Sequence, residues 1–402
     1  MHRIIIITST LLAGFAPLLC GQTTWHVATN GVDTNTGLDW NSPYLTIGKA
    51  VVQAVGDDAI IVSNGLYETS ASIVLSKAVH LRSVNGPEVT TVRRSGVAES
   101  RLFQITSVQA SISGFTITNG NLTGANLGAG LHMMDGVVSN CVFAGNRATS
   151  NGGGIYCGGG LVTYCRFYDN SADTGGGIYS AGGLISNCHF EQNKGLSGAG
   201  VSLRDNAIGL YESVVCNNQA AQSGGGIYVF SCTGMVYNCQ VYSNTAVGIR
   251  GGGIYVNNCA ARLENITVFG NRTESNSGQN YNGGGGLWIS APGGQKTLIR
   301  NALIYNNYSY ESGGGIYIYS SSIIENSTIV SNYAAFSSGN LYGGGGGLTM
   351  YNSSGTTNTV RNCIIQFNNC AYGADNWMFR GAAGSVTYTN NCMGPGANRN
   401  VF

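Results

Sequence analysis

The chain has 402 residues, of which 62 are Gly and only 5 are Pro, with 9% charged and 43% hydrophobic residues and a formal net charge of +1. Gly is about twice its usual ~7% and charge far below the usual ~25%, yet the apolar fraction is too high for a disordered tail, and the absence of a strict three-residue Gly period excludes collagen. The 19 Lys and Arg are scattered singly, so the sequence predicts no nucleic-acid partner and no anionic membrane surface.

The first segment reads as an address. Met1-His2-Arg3 is a short positive start, followed by an apolar run from Ile4 to Leu19 that Thr8 to Thr10, Gly14 and Pro17 interrupt. This predicts a secretory signal peptide over 1–21, cut near Cys20 to Gln22. The run falls short of the ~20 apolar residues that cross a bilayer. Cys20 as a lipoprotein cysteine is the competing reading, and Leu19 sits where a small residue is normally required before it. No later segment is long and apolar enough to span a membrane. The expected location is extracellular, or at the outer membrane or cell surface, with no transmembrane segment in the mature chain.

Residues 22–120 read as an N-terminal cap followed by irregular first coils. Thr46 to Val55 places Ile47, Ala50, Val51, Ala54 and Val55 at helical spacing, which predicts a short amphipathic capping helix. Ala59 to Val62, Ile73 to Leu75, Val79 to Leu81 and Ile112 to Ile117 read as strands. Asp33 and Asp39 are candidate oxygen ligands for calcium, the cofactor the sequence leaves open. Asp57 and Asp58 are adjacent, and strand alternation aims them apart.

Residues 121–370 carry a repeat. Gly152-Gly153-Gly154-Ile155-Tyr156 leads to Val162, Cys165, Phe167 and Asn170, and Gly175-Gly176-Gly177-Ile178-Tyr179 leads to Ile185, Cys188, Phe190 and Asn193. Further copies start at Leu131, Val201, Ile227, Ile254, Leu287, Ile316 and Leu348, so the aliphatic positions lie 23 to 33 residues apart. Such a period means a solenoid, propeller or array. Each apolar piece is short and alternating, as in Cys165-Arg166-Phe167, which predicts strands rather than helices. Three pieces per copy suit one coil of a parallel β-helix, an all-β solenoid in which one coil buries its inner face only when stacked.

Each column then has a physical task. The glycines and one Asn column, Asn140, Asn187, Asn238, Asn301, Asn326 and Asn362, supply left-handed corner backbone. A second column, Asn146, Asn170, Asn193, Asn218, Asn244, Asn271, Asn307 and Asn332, places amides where they hydrogen-bond from coil to coil. Cys141, Cys165, Cys188, Cys239 and Cys363 share an inward position with Ser213, Ala302 and Ser327, as small buried residues.

The glycine runs Gly152 to Ile155 and Gly175 to Ile178, with Phe143 to Asn146, Phe167 to Asn170 and Phe190 to Asn193, resemble the Gly-Gly-Ala-aliphatic and Phe-x-x-Asn repeat of the polymorphic outer-membrane-protein family, over roughly 128 to 370. The stretch from Trp25 to Gly31, with Ser42-Pro43 and Gly65-Leu66-Tyr67, resembles the opening segment of secreted pectate-lyase-like β-helix proteins. The resemblance implies an all-β, right-handed parallel β-helix of the pectin-lyase type, and it implies fold and exported setting more strongly than activity.

Residues 371–402 read as a final coil or incomplete cap, with a strand at Ser385 to Tyr388, and the natural chain extending further is an open reading. Without Cys20 the chain keeps an odd number of cysteines, so it holds no complete disulfide framework. Cys232 with Cys259, on neighbouring coils, and Cys370 with Cys392 are the candidate staples.

Two outward columns are candidate surfaces. One reads Tyr156, Tyr179, Ser202, Tyr228, Tyr255, Trp288 and Tyr317, a ladder able to take sugar rings or a protein partner, or simply to stiffen the sheet. The other reads Tyr168, Glu191, Cys216, Tyr242, Phe269 and Tyr305. For catalysis the best cluster is Arg166 above His189 with Tyr168 above Glu191 and Asp169 at the corner, residues that a surface charge pair explains equally well. The long segments Asn271 to Gly283 and Asn332 to Gly343 form a further candidate face. The reading is an exported adhesion or binding scaffold for a polysaccharide or surface protein. Its rivals are a lyase or hydrolase of acidic polysaccharide and a structural spacer.

Overall fold

The computed structural model describes residues 22–274, 282–335, 344–351, 355–371, 373–380 and 385–399; the signal peptide expected over 1–21 lies outside them. The chain winds into a parallel β-solenoid of about 12 turns. Equivalent strands of successive coils line up as four long sheets. Among the described residues sheet I has 13 strands, sheet II has 14, sheet III has 13 and sheet IV has 10. In one coil they are represented by Ile155–Cys157, Leu161–Thr163, Arg166–Tyr168 and Ser171–Thr174. The register is strict: Ile155 pairs with Ile178, Val162 with Ile185 and Phe167 with Phe190, all parallel.

The sequence predicts three strands per coil, and the structure adds sheet IV. Several of its members are only two residues long, as at Arg147–Ala148 and Thr245–Ala246, each with the second residue inward. Alternation over two residues leaves no periodic signal to read. The other three sheets bury what the pattern says they bury. Phe143, Phe167 and Phe190 are fully buried on the inner face of sheet III, with ring centroids 5.2 and 4.6 Å apart along the axis. Val138, Val162 and Ile185 do the same for sheet II, and Leu131, Ile155 and Ile178 for sheet I. A single dry core results, because every coil's apolar face is closed by its neighbours.

The corners explain the glycines and asparagines. Gly175 has φ +66°, and a Cβ on Gly154 would sit 2.5 Å from the carbonyl oxygen of Gly177, so the passage from sheet IV to sheet I needs both left-handed backbone and close approach. Between sheets II and III the left-handed residue is the exposed Asn column, for example Asn140 at φ 49° and Asn238 at φ 53°. Tyr164 and Glu212 occupy the same position with φ 53° and 48°.

The second Asn column differs. Asn146 to Asn332, extended by Asn368, is buried inside the corner between sheets III and IV, and the left-handed residue there is the one before it, such as Asp169 or Asn217. Asn170 Nδ2 donates to the Phe143 carbonyl at 2.8 Å and to Asn193 Oδ1 at 3.0 Å. Its own Oδ1 accepts from the Asn146 backbone N–H at 3.1 Å and from Asn146 Nδ2 at 3.0 Å. Each amide is saturated and ties its coil to the coils on either side. The inward cysteines Cys141, Cys165, Cys188, Cys239 and Cys363, at the other end of the sheet III strands, are buried, as expected from their small size.

At the N-terminal end, helix α1 (Ile47–Gln53) is capped by Thr46, whose side chain accepts from the Lys49 N–H, and buries Ile47, Ala50 and Val51 against the first coil. Asp58, buried, accepts from Trp25 Nε1 at 2.8 Å and from the Thr23 and Val55 N–H groups at 2.9 Å, closing the same end. Among the described residues no helix is long and apolar enough to cross a membrane.

Candidate functional site

The corner between sheets II and III is a polar groove running along the solenoid. The outward residue that precedes each corner Asn is charged over four successive coils, with alternating sign: Glu264, Arg300, Glu325 and Arg361. Register places them one above the other at the ~4.8 Å strand spacing. Arg262 Nη2 lies 2.5 Å from Glu264 Oε1 and Arg300 Nη1 lies 3.8 Å from Glu264 Oε2, while Arg300 and Arg361 both bond Glu325. Burial alone would push the Glu325 carboxyl up, but hydrogen bonds from Arg361 and Arg300 hold it below its ordinary 4.5. A cleft of about 620 Å³ opens here, lined by Arg300, Glu325, Asn326, Arg361, Asn362 and Thr389 among others. Further along the same corner a cleft of about 400 Å³ is lined by Asn187, Glu212, Asn238, Gln240, Asn265 and Thr267. The exposed amides also form their own ladder, with Asn362 Nδ2 donating to Asn326 Oδ1 and Asn301 Nδ2 to Asn265 Oδ1, each at 3.0 Å. The groove is thus a periodic row of donors and acceptors. Sequence reading missed it, although the dipeptides Glu264-Asn265, Arg300-Asn301, Glu325-Asn326 and Arg361-Asn362 announce it.

The cluster proposed for catalysis comes together on the outer face of sheet III. Arg166 pairs with His189 and Tyr168 with Glu191. Arg166 Nη2 is 3.2 Å from Glu191 Oε2, His189 Nε2 is 4.0 Å from the same oxygen, and the Arg166 guanidinium lies 5.8 Å from the Tyr168 ring centre. Asp169 turns the corner and faces Lys194 Nζ at 3.8 Å. One coil on, Cys216 Sγ lies 3.3 Å from His189 Nε2, a partner that the column predicts and the cluster as read from sequence left out. Burial pushes the Cys216 thiol up, and a hydrogen bond to Cys216 together with burial raises Tyr242. Burial, helped by Arg166 and opposed by Glu191, lowers His189. At neutral pH the patch therefore holds neutral thiol, phenol and imidazole beside the Arg166–Glu191 ion pair. Both Cys216 and Glu191 approach the same imidazole nitrogen, so the three do not form a relay in which a carboxylate orients the base on its far side.

The aromatic ladder of sheet I is not the open platform its outward register suggests. Tyr156 and Tyr179 are half-buried, but Tyr228, Tyr255 and Trp288 are 8%, 6% and 3% exposed and Tyr317 is fully buried. Arg204 lies 4.6 Å from the Tyr228 ring centre, Arg250 lies 4.9 Å from that of Trp288, and Phe230, Tyr319 and Tyr351 pack against the stack. The physical reason is side-chain length: rings in one column stack, and long neighbours in the adjoining turns fold over them. The more open row is Tyr242, Phe269 and Tyr305 on sheet III, with centroids 4.8 and 4.9 Å apart and planes within 13° and 6°. Their faces are spent on one another, leaving edges and hydroxyls outward.

Asp33 Oδ1 accepts from the Leu45 and Thr46 N–H groups at 2.9 Å, and Asp39 Oδ1 accepts from the Asn41 and Ser42 N–H groups at 2.8 and 2.9 Å. Those bonds, the Asn41 one first, lower the Asp39 carboxyl. Both carboxylates thus shape the loop before α1. Among the described residues no three His, Cys, Asp or Glu side chains converge as a metal cage. The long segments named as a candidate face fall partly at 275–281 and 336–343, outside the described residues.

No curated protein matches the sequence significantly. Solved structures similar to the chain include a rhamnogalacturonan lyase, 13% identical over 75% of this chain and 82% of that one with a TM-score of 0.45. The pectate lyase Pel9A is 15% identical over 94% and 80% with a TM-score of 0.32. The Dettilon tailspike protein is 16% identical over 85% and 63% with a TM-score of 0.35. The family described as right handed beta helix region matches residues 77–234 and 185–393, more than half of the sequence, and with the four in-register sheets this places the chain in that family.

Proposed function

We propose that this protein is an exported binding scaffold that takes a polysaccharide lengthwise in the groove between sheets II and III. The observation that carries the reading is the coincidence of both clefts with one corner, lined in most coils by asparagine amides such as Asn238, Asn265, Asn326 and Asn362 and, over four coils, by alternating Arg and Glu. A sugar polymer offers hydroxyls at regular intervals, and a row of amides, guanidinium groups and carboxylates meets them with both donors and acceptors. The signal-like first residues and the repeat resembling the polymorphic outer-membrane-protein family support a secreted or surface-displayed setting.

The test uses Asn326→Gly with Asn362→Gly, which strips two groove amides while giving the corner the residue best suited to left-handed backbone. Retention on an array of neutral and acidic polysaccharides is expected to fall about tenfold, the worth of about 1.4 kcal/mol, with the thermal midpoint little changed. Equal retention by the double variant removes the groove as the site. A second reading, cleavage of an acidic polysaccharide, is favoured by the approach of His189, Cys216, Glu191 and Arg166. It predicts product release that Glu191→Gln abolishes, and a broad substrate panel without product closes it.

A further inference from the structure

We propose that Cys232 and Cys259 form a modification site, a thiol pair that a small disulfide oxidant converts into a covalent bridge between two successive coils. Phe230 pairs with Asn257 in sheet I, and both strands then turn through a left-handed residue, Ser231 at φ 50° and Asn258 at φ 53°. Asn258 Nδ2 donates to Ser231 Oγ at 3.0 Å and locks the two turns together. The cysteines that follow stand in equivalent positions with their Sγ atoms 3.9 Å apart. In a parallel solenoid such positions lie at the ~4.8 Å strand spacing, within the Cα separation a disulfide accepts.

This pair differs from the other inward cysteines. Cys141, Cys165, Cys239 and Cys363 each donate to a carbonyl oxygen two residues back, at 3.1 to 3.3 Å, and burial raises all four thiols. They are structural and inert. Cys259 Sγ lies against both the carbonyl oxygen and the sulfur of Cys232 on the neighbouring coil, and the contact between the two sulfurs lowers the Cys232 thiol, to about 7, and pushes Cys259 up. The direction of the two shifts makes Cys232 the attacking sulfur and Cys259 the resolving one. Although both side chains are buried, exposed Ser231 and Thr233 flank Cys232 in its surface turn.

The chemistry balances with the oxidant named. The Cys232 thiolate attacks one sulfur of oxidised glutathione, forming a mixed disulfide as that S–S bond breaks and one glutathione thiolate leaves. Cys259 gives up its proton to solvent, its sulfur attacks Cys232 Sγ, and the second glutathione thiolate leaves. The protein loses two electrons and two protons overall, and one glutathione disulfide becomes two thiols. The bridge encloses the 27-residue span between the two cysteines and restricts the unfolded chain accordingly.

The experiment treats the full chain carrying Cys392→Ser, which removes the exposed thiol, with oxidised glutathione, then alkylates it in denaturant and maps peptides by mass spectrometry. The expected result is a linked Cys232–Cys259 peptide, the loss of two alkylated thiols, and a higher urea midpoint than the reduced protein. Adding Cys259→Ser is expected to trap glutathione on Cys232. Full alkylation of Cys232 and Cys259 in oxidised chain with intact β circular dichroism overturns the proposal, as does a bridge from Cys232 to another cysteine. The peptide map of the parent chain decides even where the serine variant fails to fold.

Discussion

The two asparagine columns use the same residue in the same repeat for opposite reasons. Between sheets III and IV the residue is buried and its side chain matters: four hydrogen bonds saturate the amide, and every position from Asn146 to Asn368 keeps Asn. Between sheets II and III the residue is exposed and its backbone matters, so Tyr164 and Glu212 replace Asn without changing the turn. A position that needs a particular set of donors and acceptors admits one residue type. A position that needs only φ near +50° admits several, at differing strain.

This contrast is open to measurement. Asn244→Ala deletes the acceptor of the Asn218 N–H and Nδ2 and the donor to the Val215 carbonyl and Asn271 Oδ1, and is expected to cost about 3 kcal/mol or more in urea unfolding. Asn238→Ala, one corner away, loses only left-handed preference, an expected cost of about 1 kcal/mol. Comparable losses at the two sites would break the distinction. Tyr164→Asn relieves a bulky residue at φ 53° and is expected to stabilise by about 0.5 kcal/mol, read as a rise in urea midpoint.

Acid sharpens the same comparison by sign. The buried ladder has nothing to titrate, whereas Glu325 beside the exposed corner is held below 4.5. Its stabilisation is complete above 4.5 and is lost as the pH falls through the depressed value. His189, lowered from 6.5 by burial, acts in the same direction at higher pH: its contribution is complete above 6.5 and is lost as the pH falls through the folded-state value. Hydrogen exchange on acidification is therefore expected to quicken first beside His189 on sheet III and then, at lower pH, at the corner between sheets II and III beside Glu325. Earlier loss of protection at Asn193 or Asn218 would contradict that order.

Most of the solenoid was legible because stacking imposes one-dimensional order on the sequence: once Phe167 and Phe190 are aligned, Arg166 must stand over His189 and Tyr168 over Glu191, as observed. What escaped were features that register alone does not encode. Two-residue strands such as Thr245–Ala246 have no period to detect. Burial of Trp288 and Tyr317 depends on side chains from other turns reaching over them, and outward direction is not exposure. The charged groove lay within reach of the pattern, but its residues were counted as scattered charges because their spacing varies from 25 to 36 residues.

The saturated amide of the inner ladder has one more implication. Because each Asn offers the coil above the same bonds it receives from the coil below, a whole winding excised or duplicated at any point of the array rejoins without an orphaned group at the seam. Gene-level slippage would then lengthen or shorten the molecule in steps of one strand spacing, ~4.8 Å, while leaving its cross-section unchanged.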